Sequence, residues 1–177
     1  ERKKGRIGIG HTRWATHGVP NDINSHPHVS QSGDLVIVHN GIIENYDSLK
    51  KELISRGYVF QSDTDTEVLI NLIEEVKKTE KCKLGKAVQL ALTSVIGAYA
   101  IAVFDKTKPN ELVVARLGSP IAIGIGKENK EFFVASDASP FIEYTKEAIY
   151  IEDEEMAIIK LGKKIQVRKI QNDALVN

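Results

Sequence analysis

The sequence has little cysteine and no excess of charge of either sign. Cys82 is the single cysteine among 177 residues, so the chain cannot form an internal disulfide. Such a composition fits a reducing compartment, and we expect a cytoplasmic location. Lys and Arg total 24 and Asp and Glu also total 24, which gives a formal net charge of zero. A balanced chain has no general attraction to nucleic acid or to an anionic membrane, so neither is an expected partner.

Long apolar runs are also missing. The longest, around Val95 to Phe104, is far too short to cross a bilayer, so we expect no membrane span. Glu1 to Lys4 lead straight into a strand-like segment, and we expect no signal peptide. The chain does have 42% apolar residues, which is enough for one domain with a real core.

The first half of the chain predicts two strands and three helices. Arg6 to Ile9 has the pattern of a short strand. Leu35 to Val38 is an apolar run typical of a buried strand, and His39 to Gly41 then predict a turn. Apolar residues at helical spacing predict the first two helices: Tyr46, Leu49 and Leu53 in one, and Leu69, Leu72, Ile73 and Val76 in the other. A third helix is expected from Leu84 to Thr93.

Residues that start and stop helices stand at the appropriate places. Asn45 is placed to cap the first helix, and Gly57 is placed to end it. Thr64 and Glu67 have the spacing of a capping box before the second helix.

Beyond Gly97 the pattern changes from helical to strand-like. Seven segments separated by Pro, Gly, Asn or Asp turn signals are predicted to be strands: 98–104, 111–116, 121–126, 131–135, 147–151, 156–161 and 164–169. Asp137 to Tyr144 predicts a short helix. Helices followed by strands at hairpin spacing indicate an α+β sandwich, in which antiparallel sheets pack against helices.

One polar loop, from Thr12 to Gln31, is unusually long. It spans about twenty residues with no clear helix or strand pattern. A loop of that length inside a compact domain is usually functional.

Several motifs occur in and after this loop in a specific order. Gly-His-Thr-Arg-Trp-Ala-Thr-His-Gly stands at 10–18 and Asn-Ser-His-Pro-His at 24–28, followed by His-Asn-Gly-Ile-Ile-Glu-Asn at 39–45 and Ser-Asp-Thr-Asp-Thr-Glu at 62–67. Together they resemble the class II, or N-terminal-nucleophile, glutamine amidotransferase domain. The resemblance continues through further motifs, Gly97-Ala98-Tyr99, Ala115 to Pro120 and Ala135-Ser136-Asp137, and covers essentially the whole chain.

The resemblance implies a four-layer αββα sandwich of the N-terminal-nucleophile hydrolase type. Family members begin at an N-terminal cysteine upstream of the motif that opens this chain, whereas no cysteine precedes Arg13 here. We therefore expect the N-terminal strands to be missing. Residues 1–172 are expected to be a partial amidotransferase domain, and 173–177 the start of a linker to absent sugar-isomerase domains.

The chemistry that the resemblance implies is hydrolysis of the side-chain amide of glutamine. A thiolate attacks the amide, ammonia leaves as a glutamyl thioester forms, and water releases glutamate. Members with this arginine motif pass the ammonia to fructose 6-phosphate, whereas relatives that act on phosphoribosyl pyrophosphate or aspartate carry different residues around the arginine. We expect glutamine and glutamate as ligands, fructose 6-phosphate on the absent isomerase domains, no cofactor, and a homo-oligomeric full-length enzyme. Without the nucleophile, the 177 residues alone are expected to be inactive.

Two charged residues are assigned by the resemblance to the amino-acid end of the substrate. Arg13 would hold the α-carboxylate, because its planar guanidinium suits two hydrogen bonds to a carboxylate. The alternative is an ordinary surface arginine. Asp65 would hold the α-ammonium, although an acid in the first turn of a helix also interacts favourably with the helix dipole. Both roles of Asp65 can hold together.

The oxyanion hole is assigned to the side-chain amide of Asn40 and the backbone N–H of Gly41. Glycine lets the backbone approach a ligand closely. The alternative is that Asn-Gly after a strand is an ordinary hairpin turn. Against the turn, Ile42 to Asn45 do not alternate as a returning strand would.

Four more residues of the long loop are assigned to the substrate pocket. Thr16 and His17 would line it, and His26 would brace the loop by hydrogen bonds. Trp14 would close over bound glutamine as a lid, or else belong to the core. The five histidines lack a recognised zinc spacing, and we expect no metal site.

Cys82 stands between Lys81 and Lys83, which favour a thiolate. It matches no family position, and we expect an incidental cysteine. Two other functions stay open at this point: an amidotransferase domain of a different synthase, and a non-catalytic module that binds an amino acid. The complete reading frame distinguishes them: a gene that begins at or near Glu1 favours the non-catalytic module, and a downstream region without a phosphosugar site favours the different synthase.

Overall fold

Antiparallel sheets and helices build the domain in the computed structural model, which describes residues 5–12 and 18–176. The helices are α1 (Tyr46–Ser55), α2 (Asp65–Thr79) and α3 (Leu84–Leu92). The strands are β1 (His28–Val29), β2 (Leu35–Ile43), β3 (Gly97–Asp105), β4 (Leu112–Leu117), β5 (Ala122–Ile125), β6 (Phe132–Ala135), β7 (Ala148–Tyr150), β8 (Glu155–Ile159) and β9 (Gln166–Lys169). A 3₁₀ turn at Lys127–Asn129 joins β5 to β6.

The strands form a six-stranded and a three-stranded sheet within the described residues. The larger has the order β1-β2-β3-β4-β8-β9, the smaller has the order β6-β5-β7, and all these neighbours run antiparallel. β2 and β3 pair over their whole length, from Leu35 opposite Asp105 to Ile43 opposite Gly97. The residues at the end of β2 are therefore held in a fixed register opposite β3.

The larger sheet buries both of its faces. Successive side chains of a strand point to opposite faces, and β3 shows this alternation. Ile101 and Val103 pack with the helices, whereas Ala100 and Ala102 pack with the smaller sheet. The helices, the larger sheet and the smaller sheet therefore stack in that order, and the predicted α+β sandwich is confirmed.

Turns cover the outer face of the smaller sheet. Phe141 is buried against Gly124 of β5, where an added Cβ would lie 2.7 Å from the Phe141 ring. The Phe141 ring also stacks on Phe133 with 6.1 Å between centroids. The helix predicted from Asp137 to Tyr144 is wrong, because this segment forms turns. The Asp137 carboxylate accepts the N–H of Ser139 in one such turn, and this local bond competes with a helix.

Helix α1 ends at Gly57 as the sequence predicts, but the predicted cap by the side chain of Asn45 is wrong. Gly57 has φ +92 and ends the helix, with its N–H bonded to the carbonyl of Ile54. Asn45 precedes α1, but its side chain does not cap it. The Asn45 amide instead accepts the N–H of Ile96 at 2.9 Å and donates to the carbonyl of Ser94 at 2.9 Å. Asn45 thus ties the start of α1 to the segment that leads into β3.

Helix α2 begins with half of the expected capping box. The Thr64 hydroxyl accepts the N–H of Glu67 at 3.2 Å. The Glu67 carboxylate turns away from Thr64 and accepts the N–H groups of Gln61 and Ser62 at 2.9 and 2.7 Å. The first turn of α2 is therefore fastened to the chain that precedes it, which matters because Asp65 and Thr66 lie in this turn.

Two further predictions on the backbone are wrong. Arg6 to Ile9 forms no strand. Around Gly8 and Gly10 the space is open, with nothing within 4 Å of an added Cβ. The turn predicted at His39 to Gly41 is also absent, because β2 continues through these residues to Ile43.

The last described residues return along β9. The N–H of Val176 donates to the carbonyl of Val167 at 2.9 Å, and Leu175 bridges Arg168. The boundary predicted at residue 172 lies inside this hydrogen-bonded hairpin, and the linker assignment stays a prediction. Among the helices of the described ranges, none has the length and apolar character needed to cross a membrane.

Candidate functional site

Asn40 and Gly41 lie inside β2, opposite Ala100 and Tyr99 of β3. Gly41 has φ +124, a conformation that residues with a Cβ rarely adopt. A Cβ added at Gly41 would lie 2.1 Å from the carbonyl oxygen of Ala98. The hairpin-turn alternative for Asn-Gly is therefore excluded, and close backbone packing against Ala98 explains the glycine.

The side-chain amide of Asn40 is held at both ends. Its Oδ1 lies 2.5 Å from Nε2 of His11, and its Nδ2 donates to Oγ of Ser136 at 3.1 Å. His11 comes from the start of the long loop, and Ser136 directly follows β6. Three segments far apart in sequence thus meet at this amide.

A cavity of about 170 Å³ opens beside Asn40, between the two sheets. Its walls include Val38 and Ala100 of the larger sheet and Val134 of the smaller, while His11 and Ser136 lie at the Asn40 end. The wall is thus apolar apart from the groups around one amide. An apolar cleft with a few convergent polar groups is the usual form of a small-molecule site.

Asp65 is buried at the first position of α2, with 3% of its surface exposed. Its Oδ2 accepts the backbone N–H of Ile43 at 2.8 Å. Gly41 and Ile43 are two residues apart on one strand, which is about 7 Å. The carboxylate predicted to bind an ammonium is therefore anchored close to the strand residues predicted to bind an oxyanion.

Thr66, the next residue of α2, joins two histidines. Its hydroxyl lies 2.9 Å from Nδ1 of His39 and 3.2 Å from Nε2 of His26. His26 stacks on His11 with 4.3 Å between ring centroids and meets the edge of the His28 ring at 5.0 Å. His26 thus connects the loop to the first turn of α2, and its predicted place in the substrate pocket stays a prediction.

The histidine rings are occupied by hydroxyl and amide contacts. Nε2 of His28 lies 3.1 Å from the hydroxyl of Thr64. In the parts of the chain that the structure describes, no group of three or more His, Cys, Asp or Glu residues could hold a metal ion.

The loop before β1 is fastened to the start of α2 by Asn24. This buried residue accepts the N–H of Asp63 at 3.0 Å and donates to the carbonyl of Val19 at 3.0 Å. A Cβ added at Gly18 would lie 2.5 Å from Nδ2 of Asn24. Asn24 therefore connects the later part of the predicted pocket loop to the residues that precede α2.

Four of the predicted site residues lie outside the described residues: Arg13, Trp14, Thr16 and His17. Their predicted contacts with glutamine stay predictions.

Cys82 is remote from these residues. It follows α2, whose 15 residues span about 22 Å from Asp65 at the other end. Burial raises the pKa of the Cys82 thiol, and this effect outweighs the opposite effect of the nearby Lys86 and Lys77. The thiolate that neighbouring lysines were expected to favour is therefore disfavoured.

Sequence reasoning assigned no role to His11 and Ser136. Both stand in quoted motifs, but each is separated from Asn40 by a long stretch of chain, 29 and 96 residues respectively. The packing of the smaller sheet on the larger one brings Ser136 to Asn40, and the segment before the long loop brings His11 there. The motif Ala135-Ser136-Asp137 is one of those through which the chain resembles the family, and it was the signal that could have pointed to Ser136.

Comparison with known proteins places the chain among glutamine-using enzymes. Residues 2–171 match the family described as Glutamine amidotransferase domain. Glutamine–fructose-6-phosphate aminotransferase [isomerizing] of Bacteroides thetaiotaomicron is 55% identical over 168 residues, which are 95% of this chain and 27% of that protein. The enzyme of the same name from Chlorobaculum tepidum is 53% identical over 154 residues, covering 86% of this chain and 25% of that protein. The chain thus spans about a quarter of the length of these relatives.

Solved structures agree with the sequence match. Glutamine phosphoribosylpyrophosphate (PRPP) amidotransferase from B. subtilis, complexed with ADP and GMP, has a TM-score of 0.72 at 29% identity, covering 92% of this chain and 34% of that one. The allosteric regulatory enzyme of purine biosynthesis has a TM-score of 0.69 at 28% identity, covering 85% and 32%. Since the match in sequence and the match in fold both extend over nearly all of the chain, it belongs to the class II glutamine amidotransferase domain family.

Proposed function

We propose that this domain binds glutamine and hydrolyses its side-chain amide, and that the released ammonia converts fructose 6-phosphate to glucosamine 6-phosphate elsewhere in the full-length enzyme. The observation that carries the proposal is the position of Asn40 and Gly41. Both lie within β2, where Asn40 lines a cavity of about 170 Å³ and Gly41 is two residues from Ile43, which anchors Asp65.

Asn40 and Gly41 supply the two donors of an oxyanion hole. When a thiolate attacks the glutamine amide, a C–S bond forms and the carbonyl oxygen becomes negatively charged. The Asn40 amide and the Gly41 N–H stabilise that oxygen. The C–N bond then breaks, the nitrogen takes up the proton that the thiol gave up and leaves as ammonia, and water hydrolyses the thioester to glutamate and the free thiol. Cys82 is not this nucleophile, because it is half-buried at the opposite end of α2.

Asp65 and Arg13 hold the two charges of the amino-acid end of glutamine. The position of Asp65 supports this role, because its Oδ2 accepts the N–H of Ile43 at 2.8 Å and Ile43 is two residues from Gly41 on β2. Arg13 binds the α-carboxylate, Thr16 and His17 line the pocket, Trp14 closes over it, and His26 braces the loop.

The acceptor sugar follows from the degree of similarity. Identity is 55% and 53% to two aminotransferases named for fructose 6-phosphate, against 29% to a PRPP amidotransferase. The sugar-isomerase domains, the cytoplasmic location and the homo-oligomeric assembly of the complete enzyme belong to this proposal.

Two assays of the complete natural enzyme test it. With glutamine alone, we expect release of ammonia and glutamate; with fructose 6-phosphate added, we expect glucosamine 6-phosphate. Amination of phosphoribosyl pyrophosphate instead would establish the different-synthase alternative. Tight glutamine binding with no hydrolysis would establish the non-catalytic module.

A further inference from the structure

We propose that His11 and Ser136 are positioning residues that select the productive orientation of the Asn40 side-chain amide. This inference rests on the proposed function, since it deepens the role of Asn40 in amide hydrolysis. Neither residue was assigned to the substrate, and both act through Asn40.

The two ends of an asparagine amide, the oxygen and the NH₂ group, differ in chemistry but hardly in shape. Rotating the amide by half a turn exchanges an acceptor oxygen for a donor NH₂ group at nearly the same positions. Only one of the two orientations presents N–H to a developing oxyanion. In the other orientation, oxygen faces oxygen and the two repel each other. An exposed asparagine such as Asn40 therefore needs neighbours that distinguish its two ends.

His11 distinguishes the two ends when its ring donates, and Ser136 holds the nitrogen end in place. Oδ1 of Asn40 lies 2.5 Å from Nε2 of His11, so the ring donates when its proton is on Nε2. Nδ2 of Asn40 donates one hydrogen to Oγ of Ser136 at 3.1 Å. The amide nitrogen carries a second hydrogen, which stays available for an oxyanion. The flipped amide would place NH₂ against the Nε2–H of His11 and lose that bond, while the hydroxyl of Ser136 would have to turn and donate to the amide oxygen.

The His11 ring is held by the start of α2. It stacks on His26 at 4.3 Å, and Nε2 of His26 lies 3.2 Å from the buried hydroxyl of Thr66. Thr66 follows Asp65 directly in the same helical turn. The segment that positions the ammonium-binding carboxylate thus also braces the ring that orients the oxyanion donor.

Ser136 offers the sharper test because it is exposed, so its replacement leaves the core intact. In the complete enzyme, Ser136→Ala should lower the kcat of glutamine hydrolysis roughly ten- to hundredfold, since misplacing a catalytic group by about 1 Å costs up to that much. The KM for glutamine should stay within about twofold, because the oxyanion forms only in the transition state. Ser136→Thr keeps the hydroxyl and should restore most of kcat. Ser139→Ala, an exposed serine in the same segment, is the matched control and should behave as wild type.

A second pair of variants separates the ring of His11 from its hydrogen bond. His11→Phe keeps an aromatic ring on His26 but cannot donate to Asn40, and it should lower kcat as Ser136→Ala does. His11→Gln loses the ring but keeps an N–H donor, and it should retain more activity than His11→Phe. If His11→Phe and Ser136→Ala both keep the wild-type kcat, or raise only KM, the positioning role is overturned while the glutaminase assignment stands. A wild-type enzyme that fails to hydrolyse glutamine overturns the proposed function and this inference together.

Discussion

The carboxylate of Asp65 accepts the backbone N–H of Ile43 at 2.8 Å, which ties the first turn of α2 to the last residue of β2. Asp65 therefore has a structural role whether or not it binds substrate. The two roles respond differently to substitution, because the bond to Ile43 needs an acceptor whereas an α-ammonium needs a negative charge.

Asp65→Asn is the variant that separates these roles. Asparagine keeps an oxygen acceptor for Ile43, so we expect little change in thermal stability. Loss of the charge-assisted contact with the ammonium should cost about 2–4 kcal/mol. This corresponds to a thirty- to several-hundredfold fall in kcat/KM for glutamine, mostly as a rise in KM.

Asp65→Ala is the companion variant. It leaves the Ile43 N–H without its acceptor and should lower stability by a further 1–3 kcal/mol or so. Steady-state kinetics with thermal melts measure both effects. An unchanged KM in a folded Asp65→Asn enzyme would leave only the structural role.

Gly41 should tolerate no side chain. Gly41→Ala places Cβ 2.1 Å from the Ala98 carbonyl oxygen in a backbone with φ +124, so we expect a loss of about 4 kcal/mol or more, or failure to fold. Gly33→Ala is the matched control. Gly33 also has positive φ, at +82, but nothing lies within 4 Å of an added Cβ, so its cost should be about 1–2 kcal/mol. Urea unfolding followed by circular dichroism compares the two; equal losses would show that backbone strain alone explains Gly41.

Helix α1 and the end of strand β2 show what the sequence could predict and what it could not. Helix α1 was predicted between Asn45 and Gly57 because periodicity and helix ends are local properties. The continuation of β2 through Asn40 and Gly41 was missed, because the nine-residue ladder with β3 overrides the turn preference of Asn-Gly. Tertiary pairing supplies that information, and the local sequence does not carry it.

The candidate site could also be predicted only in part from the sequence. Family motifs named Asn40, Gly41 and Asp65, which the structure places close together along β2 and at the start of α2. The neighbours that hold Asn40 could not be deduced from spacing, since Ser136 is 96 residues away and reaches it only through the packing of the two sheets. Similarly, no local pattern shows that Arg6 to Ile9 lack a strand partner in the described structure.

Asp105 should make the stability of the domain sensitive to acid. Burial alone would raise the pKa of its carboxyl, but hydrogen bonds from the hydroxyl and N–H of Thr107 and the ion pair with Lys77 at 3.1 Å outweigh burial and lower it. A carboxyl whose pKa is lowered by folding stabilises the fold above the pKa of the unfolded chain, about 3.9 for Asp. That stabilisation is lost as the pH falls through the lowered pKa of the folded state.

Asp105→Asn tests this dependence. At neutral pH it should destabilise the domain by about 1–3 kcal/mol, and the difference from wild type should shrink as the pH falls below about 4. Asp47→Asn is the control, because the Asp47–Lys51 ion pair is solvent-exposed and its loss should be undetectable at any pH. Urea unfolding across this pH range decides the matter, and a difference that is independent of pH would contradict the charged role of Asp105.

Cys82 should be inert in catalysis. Burial raises the pKa of its thiol, so little thiolate exists at neutral pH, and α2 separates it from Asp65 by about 22 Å. Cys82→Ser should leave glutamine hydrolysis by the complete enzyme within about twofold of wild type. A polypeptide of these 177 residues, which contains no other cysteine, should release no ammonia above background. Turnover by that polypeptide that disappears in Cys82→Ser would overturn the assignment.

Asn40 should differ in kind from Asp65, because the charge it meets exists only during the reaction. The α-ammonium of glutamine is charged before, during and after amide attack, so in the proposed function Asp65 should contribute equally to ground and transition states and act mainly on KM. The carbonyl oxygen gains its charge only as the C–S bond forms, so Asn40 acts mainly on the transition state. Asn40→Ala should therefore lower kcat about a hundred- to a thousandfold, with KM within about threefold.

Asn40→Asp sharpens this last prediction. It is almost the same shape as asparagine and keeps an oxygen for the His11 contact at 2.5 Å, but it carries no N–H for the oxyanion and adds a negative charge beside it. Its kcat should fall at least as far as that of Asn40→Ala, although its fold is better preserved. Lost packing would lower the kcat of Asn40→Ala more than that of Asn40→Asp, whereas a missing N–H donor lowers the kcat of both. The measurement is kcat and KM for glutamine in both variants beside Asp65→Asn. If Asn40→Asp keeps a wild-type kcat, or if Asn40→Ala raises KM and leaves kcat unchanged, Asn40 binds the ground state and is not the oxyanion donor.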